Sequence, residues 1–212
     1  MNGAAACRTT RAGKRALDLC LAIMALLLLA PLLPLIAAAI HIDSPGPALY
    51  VQIRAGRGGR RFRIYKFRTM VANADELLGG VLHLDLHAAE HGDSRLYKIP
   101  SDPRVTRVGT FLRRYSLDEL PQFVNVVKGD MSLVGPRPLM LMEDRNVQGP
   151  ARIRSSVRPG ITGPWQVKGR NDLSFSEMMA LDRDYVANRC LIGDLRLLVR
   201  TVPAVFRAQR AC

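Results

Sequence analysis

The chain has 212 residues, enough for one domain with an appendage and a real hydrophobic core. Its formal net charge of +13 predicts an anionic partner: a membrane surface, phosphate-bearing substrates or nucleic acid. Its four cysteines are scattered without a C-x-x-C pair, which argues against a zinc site and a disulfide-rich secreted fold and favours a reducing, cytoplasm-facing location.

A long apolar segment near the N-terminus predicts association with a membrane. Residues 19–40 carry no charged side chain, and a run of that length is typical of a transmembrane helix. However, Pro31 and Pro34 disfavour one continuous helix, and basic residues on both flanks place both ends on the cytoplasmic side. A break near Pro31 gives two halves of about 16 Å each, roughly one leaflet of a bilayer.

We therefore expect a re-entrant helix hairpin over residues 14–42, preceded by a disordered basic tail over residues 1–13. A single transmembrane span is one alternative. A cleaved signal peptide is another, because the small residues 37–39 resemble a cleavage site. The apolar run is longer than the core of a signal peptide and contains both prolines, which favours the hairpin.

The next segment predicts a β-hairpin. Residues 48–54 and 61–67 have the composition of strands, and the glycine-rich residues 56–59 suit the connection. The second strand alternates in polarity and carries Lys66 near its end, on the mostly apolar face. No nucleotide-binding fingerprint or nucleic-acid-binding module is recognisable, so the basic side chains here indicate a face turned toward anionic lipid headgroups.

Three histidines recur at helical spacing in the middle of the chain. His83, His87 and His91 would share one helix face, with Asp85 nearby. This spacing allows a metal site, and a solvated helix face is the alternative.

Two adjacent carboxylates, Asp118 and Glu119, mark the segment in which we place the chemistry. Ser116 and Glu119 have the spacing of a capping box, which by itself needs no catalytic role. A helix N-terminus also favours phosphate, and an ionised aspartate beside phosphate either holds a divalent metal or attacks phosphorus. Arg113 precedes the pair. Arg137 follows between two prolines that fix its backbone, and its guanidinium matches phosphate oxygens bidentately.

The C-terminal part predicts two helices. Residues 174–188 have helical spacing, with Met178 and Tyr185 on one side and Asp182 away from them. Residues 191–207 form a basic amphipathic pattern that is typical of a helix lying in a membrane interface. Packing of this helix onto the core is the alternative.

Several motifs together resemble the bacterial sugar transferase family, the monotopic polyprenyl-phosphate sugar-1-phosphate transferases. The resemblance spans roughly residues 14–207, and its most specific block is residues 128–138. The longer relatives carry an N-terminal multi-span domain, so we expect this chain to be the catalytic core alone. The matching motifs are Lys14-Arg15 with Asp18, and residues 65–70, 102–109, 116–121, 128–138 and 158–163.

The resemblance implies roles for individual residues. Asp118 and Glu119 match the family's catalytic dyad, with Asp118 as the nucleophile and Mg²⁺ as the cofactor held at these carboxylates. The positions that match family contacts to phosphate or nucleotide are Lys66, Arg113 and Arg137. The re-entrant helix of the family is kinked at a Ser-Pro pair, which here becomes Ala30-Pro31, so the serine hydroxyl is lost.

The expected fold class is α+β and mainly helical, with the re-entrant hairpin broken near Pro31, a small β-hairpin and amphipathic interfacial helices. Residues 43–212 would form a cytoplasmic catalytic domain at the bacterial inner membrane. The resemblance implies transfer of a sugar-1-phosphate from a UDP-sugar to polyprenyl phosphate, giving UMP, in the first membrane step of exopolysaccharide, O-antigen or glycoconjugate assembly. The expected partners are both substrates and anionic lipids, without nucleic acid, and a homodimer and a monomer are both left open by the sequence. The alternative function is a non-catalytic, membrane-tethered basic module that binds anionic lipid or nucleic acid.

Overall fold

The computed structural model of the protein describes residues 11–81, 99, 102–168 and 173–207. Most of these residues are helical, as the sequence predicts. The α-helices are α1 (Arg11–Leu29), α2 (Leu32–Asp43), α3 (Leu78–Val81), α4 (Arg107–Arg114), α5 (Gln122–Lys128), α6 (Leu141–Arg145), α7 (Pro164–Lys168), α8 (Phe175–Asn188) and α9 (Leu191–Arg207). The strands are β1 (Leu49–Ala55), β2 (Arg61–Phe67), β3 (Ser132–Val134) and β4 (Gly160–Thr162). Short 3₁₀ segments cover Arg57–Gly59, Leu117–Glu119 and Gly149–Ser156.

The apolar N-terminal segment is broken where the sequence predicts. Helices α1 and α2 are separated by Ala30 and Pro31 and are bent by 61° relative to each other. Proline has no amide hydrogen for the helical ladder, and the Ala30 amide retains one bond to the Leu27 carbonyl at 3.4 Å. Among the described helices none is by itself long and apolar enough to cross a membrane, and only this bent pair together reaches that length and composition.

The apolar residues around the break face outward. Leu27, Leu28 and Leu35 are 71%, 73% and 66% exposed, whereas Ile36 and Ile40 are buried against the rest of the protein. A cluster of exposed leucines of this size marks a surface that interacts with apolar material. Helix α2 therefore has one face in the core and another that is uncovered.

The predicted β-hairpin is confirmed almost to the residue. Strands β1 and β2 pair antiparallel, from Leu49 opposite Phe67 to Ala55 opposite Arg61. Phe62 and Ile64 are buried, and their neighbours in sequence point to the other face, as the alternation predicts. One side of the hairpin thus covers the core, and Lys66 stands at the end of that side.

A parallel pair of very short strands, β3 and β4, holds the centre of the molecule and is not predicted by the sequence pattern. The pair requires very close backbone approach, because a Cβ on Gly160 would lie 2.1 Å from the Gly135 nitrogen. Gly129 ends α5 in the left-handed region at φ 87°, which glycine adopts without strain, and turns the chain into β3. The core beside this pair includes Val126, Met131 and Val134.

The first turns of α1 are joined to three other elements, which gives a structural reason for the Lys14-Arg15 and Asp18 motif. Lys14 Nζ lies 2.8 Å from Asp18 Oδ1 and 3.1 Å from Asp194 Oδ2 on α9. Arg15 donates to the carbonyls of Val126 and Val127 at the end of α5, at 2.6 and 2.9 Å. Asp18 also accepts from the Leu133 amide of β3 at 3.2 Å. Helix α1 begins at Arg11, inside the predicted tail.

The two C-terminal helices form at the predicted positions, with one correction. Asp182, placed by the sequence analysis away from the packed side of α8, is fully buried and forms an ion pair with Arg154. Helix α9 packs through Leu197 and Leu198 but leaves Val199 and Val202 72% and 59% exposed. It therefore has both a core face and an uncovered apolar face. The predicted histidine face, with His83, His87 and His91, lies outside the described residues.

Candidate active site

The two predicted catalytic carboxylates lie in a tight turn between two helices. Asp118 and Glu119 lie in the one-turn 3₁₀ segment Leu117–Glu119, which follows α4 and precedes α5. The capping box at Ser116 is not formed: Ser116 adopts the left-handed region at φ 55°, and its side chain makes no cap bond. The Glu119 amide bonds instead to the Ser116 carbonyl at 3.3 Å. The chain thus reverses sharply and presents both carboxylates in succession.

This turn packs into an apolar cluster built from three elements. Leu117 and Leu120, on either side of the carboxylates, pack against the cluster of Ile36 and Ile40 of α2, Phe67 of β2 and Leu112 of α4. Apolar contacts of this kind fix the turn without using its polar groups. The cluster therefore connects the dyad to β2, α4 and α2.

Lys66 joins the two carboxylates electrostatically. Its Nζ donates to Glu119 Oε1 at 3.1 Å and lies 3.9 Å from Asp118 Oδ2. The Lys66, Asp118 and Glu119 side chains are 26%, 14% and 26% exposed, so solvent or a ligand reaches all three. Two adjacent carboxylates repel each other, and the ammonium offsets that repulsion. The structure therefore brings together three of the five predicted site residues.

Arg113 is held at the same end of β2 as Lys66. Its Nε donates to Thr69 Oγ1 at 2.9 Å. Helix α4 lies directly on Thr69, since a Cβ on Gly109 would come within 2.0 Å of the Thr69 carbonyl oxygen. The N-terminus of α4 is capped from α2, where Asp43 accepts from the Val108 amide at 2.9 Å. The position of Arg113 is thus set by contacts with the segment after β2 and with the end of α2.

Arg137, the fifth predicted site residue, contacts Trp165 through its side chain. Its guanidinium carbon lies 4.7 Å from the centre of the Trp165 ring, and its buried Nε has no hydrogen-bond partner among the described residues. Arg154 donates to the Arg137 carbonyl at 2.5 Å and to Asp182 at 2.9 Å. The guanidinium is therefore fixed by its backbone and by the indole, and keeps unused donors.

Arg54 is a further buried cation beside the Arg137 segment, and the sequence analysis did not identify it as a site residue. It donates to the Pro138 carbonyl at 3.3 Å and lies 3.7 Å from Glu143 Oε2. Burial, followed by the charge of Arg137, lowers the pKa of Arg54 to about 10, against the opposing charges of Glu143 and Glu119. The sequence could have indicated Arg54 as a site residue. It pairs with Phe62 across the hairpin, and the alternation of side chains along β2 places Phe62 on the same face as Lys66.

The carboxylate oxygens of Asp118 and Glu119 are the possible protein ligands for the predicted Mg²⁺. Asp118 and Glu119 supply two adjacent carboxylates, and the described residues contain no group of three or more His, Cys, Asp or Glu side chains suited to a metal. Mg²⁺ is commonly bound by one or two carboxylates together with water and substrate phosphates. The residues present therefore fit a metal that is completed by its substrate.

Chemically, the arrangement suits phosphate. A carboxylate within reach of solvent has an ammonium at ion-pair distance, and Arg113 is held by Thr69, just after the strand that carries Lys66. Lys66 and Arg113 provide charge-assisted donors, and Asp118 provides an oxygen nucleophile or metal ligand. Such a site can bind a phosphoryl group and accept it covalently.

Comparison with known proteins agrees with this chemistry. A sequence model of the family described as bacterial sugar transferase matches residues 9–208. The exopolysaccharide production protein ExoY of Rhizobium meliloti is 42% identical over 91% of this chain and 84% of its own length. The UDP-glucose:undecaprenyl-phosphate glucose-1-phosphate transferase of Caulobacter vibrioides is 43% identical over 93% of this chain and 71% of its own length. The undecaprenyl-phosphate galactose phosphotransferase of Salmonella typhimurium is 41% identical over 96% of this chain and 42% of its own length.

Proposed function

The chain belongs to the bacterial sugar transferase family, and from this premise we propose that it transfers a sugar-1-phosphate from a UDP-sugar to polyprenyl phosphate. The products are a polyprenyl-diphosphate-sugar and UMP. The observation that carries the proposal is the partly exposed Asp118–Glu119 pair with Lys66 within ion-pair distance of both side chains. Two of the similar proteins, the UDP-glucose:undecaprenyl-phosphate glucose-1-phosphate transferase and the undecaprenyl-phosphate galactose phosphotransferase, support the same reaction class.

In the proposed first step, an Asp118 carboxylate oxygen attacks the β-phosphorus of the UDP-sugar. A new bond forms between that oxygen and phosphorus, and the bond from the β-phosphorus to the bridging oxygen breaks, so that UMP leaves with the electron pair. In the second step a phosphate oxygen of the lipid attacks the same phosphorus. The Asp118–phosphorus bond breaks, and the carboxylate is regenerated.

The cationic side chains would bind the charges of the substrates. Lys66 already lies between the carboxylates, so a phosphoryl group arriving at Asp118 meets the ammonium directly. Arg113 is oriented by Thr69 at the same end of β2, where it would hold a second phosphate. Arg137 would contact the donor through its terminal guanidinium nitrogens, since its Nε is buried. Fixed donors of this kind stabilise charge that develops in phosphoryl transfer.

Asp118 and Glu119 are also the residues that would hold Mg²⁺. Mg²⁺ held there would supply neutralisation of the negative charge on the donor phosphates. Glu119 would keep its place beside the nucleophile through its bond with Lys66.

The bent helix pair would be a re-entrant membrane hairpin at the bacterial inner membrane, with the rest of the chain on the cytoplasmic side. The exposed leucines around Ala30 and Pro31 support insertion into one leaflet. The apolar cluster that Leu117 and Leu120 share with Ile36 and Ile40 of α2 connects the dyad to this hairpin. In this arrangement the phosphate of a polyprenyl lipid would reach the dyad from the headgroup layer.

The proposal is tested by UMP release from the detergent-purified protein, with a panel of UDP-sugars and with or without polyprenyl phosphate and Mg²⁺. We expect release with at least one donor, dependent on the metal, and none from Asp118→Asn. The matched control is Asp75→Asn, an exposed carboxylate outside the site, which should leave the rate unchanged. Normal release by Asp118→Asn would refute the nucleophile assignment. Absence of release with every donor would favour a non-catalytic membrane-tethered module.

A further inference from the structure

A second cationic site lies at the opposite end of β2 and α5 from the dyad. A cavity of about 340 Å³ is lined by residues from the hairpin tip, from the segment after α5 and from the approach to β4. Phe62 of β2 lines it, four residues before Lys66, which corresponds to about 13 Å along a strand. The buried Ile64 lies between those two positions on the same face, so packed core separates the cavity from the dyad.

The lining is strongly basic. Arg57, Arg60 and Arg158 contribute guanidinium groups, and Asp130 contributes the only carboxylate among the described lining residues. Arg57 and Arg60 are exposed, and neither forms an ion pair with any described carboxylate. Burial, and then the nearby cations Arg15 and Arg57, lower the pKa of Arg158. The described lining of the cavity thus carries three positive charges and one negative charge.

Part of this cluster is rigidly held. Arg158 Nε donates to the Gly129 carbonyl at 2.7 Å, which fixes its guanidinium at the cavity wall. A Cβ on Gly129 would lie 3.5 Å from Arg15 and 4.0 Å from Arg158, so both guanidinium groups meet at this glycine. Arg15 is itself held by the carbonyls at the end of α5. A guanidinium held in this way keeps its remaining donors aimed at an incoming anion.

We propose that this cavity is a second ligand site, which binds the phosphate group of a small hydroxyl-bearing phosphate ester. Three guanidinium groups around one space match the oxygens of a phosphate dianion. Asp130 repels a bare anion and accepts a hydrogen bond from a hydroxyl of the ligand. A sugar phosphate and a nucleotide share these features, and the cavity volume lies in the range of small-molecule sites.

The position of the cavity favours a ligand from the aqueous phase over a lipid headgroup. Arg15 lies about 20 Å along α1 from the break at Ala30, given the rise of a helix per residue. The turn that carries the dyad, by contrast, packs into the same apolar cluster as Ile36 and Ile40 of α2. This preference rests on the proposed membrane hairpin, whereas the phosphate site itself does not depend on the proposed reaction.

The test is calorimetric titration of the purified full chain with inorganic phosphate, glucose-1-phosphate and UMP. The double variant Arg57→Gln/Arg60→Gln removes two cavity guanidiniums. The matched control Arg61→Gln/Arg63→Gln removes the same charge from exposed positions of β2 on the other face of the hairpin. We expect the cavity variant to weaken binding of the ester by about tenfold or more, and the control to change it less than about twofold.

Asp130→Asn tests the hydroxyl contact. It should strengthen binding of inorganic phosphate and abolish the preference for glucose-1-phosphate over inorganic phosphate. If the cavity recognises a nucleotide, UMP will bind more tightly than glucose-1-phosphate. If UMP binds at the dyad instead, its affinity will fall with Lys66→Gln but not with the cavity variant. The absence of saturable ester binding, or equal weakening by both double variants, would overturn the proposal. Neither result bears on UMP release, so this failure is distinguishable from failure of the proposed reaction.

Discussion

The Nζ of Lys66 lies 3.1 Å from Glu119 Oε1 and within 3.9 Å of the neighbouring Asp118 Oδ2, so that one strand-end cation serves two consecutive carboxylates. The pair is arranged by long-range folding, because Lys66 ends β2 and the carboxylates follow α4. This relationship leads to the most direct prediction about activity.

Lys66→Ala should reduce kcat/KM for UMP release by about 100-fold or more, because it removes a fixed positive charge from the reacting phosphoryl group. Lys66→Arg should recover part of the loss, since it keeps the charge but not the geometry. The matched control is Lys128→Ala, which removes an exposed lysine that contacts only Tyr65 among the described side chains. A rate for Lys66→Ala close to that of the control would exclude the proposed role.

Asp102 should make the stability of the protein depend on acid pH. The Arg104 side chain, which bonds to Asp102 at 2.6 to 3.2 Å, lowers the pKa of this buried carboxyl. The pKa of Asp102 is therefore lower in the folded state than its unfolded value of about 4. The pair stabilises the fold fully above about pH 4, and this contribution is lost as the pH falls through the folded-state pKa.

Asp102→Asn should therefore lower the free energy of unfolding by about 1–3 kcal/mol at pH 7, where it removes an acceptor of a charge-assisted bond. The difference from the wild type should shrink as the pH falls below about 4. Thermal unfolding in detergent across that range measures it. Two curves that stay parallel down to pH 2 would show that Asp102 is not the titrating group.

The buried Arg154–Asp182 pair should affect both stability and activity, and a double variant separates the two. Asp182→Ala leaves the Arg154 charge buried without its partner and should cost about 3–5 kcal/mol of unfolding free energy. Arg154→Met/Asp182→Leu should restore most of that stability by apolar packing.

The double variant should regain stability but not activity, because it still lacks the hydrogen bond that Arg154 donates to the Arg137 carbonyl. UMP release at saturating and limiting UDP-sugar, compared with the unfolding temperature, provides the measurement. Full recovery of kcat/KM in the double variant would assign the pair a purely structural role.

Gly160→Ala should be strongly destabilising, whereas Gly79→Ala should not. A Cβ on Gly160 would meet the Gly135 nitrogen at 2.1 Å and force β3 and β4 apart. Overpacking against backbone costs about 1–3 kcal/mol or more. Gly79 lies in α3 with no described atom near its Cβ position, so alanine there should be neutral or stabilise by up to about 1 kcal/mol. Equal unfolding temperatures for the two variants would disprove this account of the strand pair.

The re-entrant hairpin predicts that both its ends face the same side of the membrane. In a cysteine-free protein, single cysteines at the exposed positions Ala12 and Glu76 should react with an impermeant maleimide from the cytoplasmic side only. Replacing Pro31 by Leu restores an amide donor at the break and should move part of the population to a straight span. Reaction of the two positions from opposite sides in the wild type would establish a single span instead.

Local signals in the sequence predict a large part of this fold. The break at Pro31, the hairpin strands and the helix Phe175–Asn188 are all found within about a residue of the expected bounds. Proline, glycine and the alternation of polarity act on neighbouring residues, and therefore leave a readable pattern. Asp118 and Glu119, predicted as a short contiguous motif, share one turn for the same local reason.

The remaining features depend on contacts between distant segments. Strands β3 and β4 have three residues each and form only because Gly135 and Gly160 permit close approach. Asp182 looked solvated from its position on α8, and only the fold places Arg154 beside it. The capping box failed because Ser116 reverses the chain instead of starting a regular helix. No local pattern encodes these pairings.

The contact between Lys14 and Asp194 has a consequence for the order of biosynthesis. Lys14 leaves the ribosome together with the segment proposed to enter the bilayer, but its partner on α9 follows 180 residues later. Until α9 is made, Lys14 has only its local partner Asp18 within α1, and the core that α9 covers through Leu197 and Leu198 stays open. The hairpin would thus be inserted first, and the packing around the site would be completed only after α9 has been synthesised.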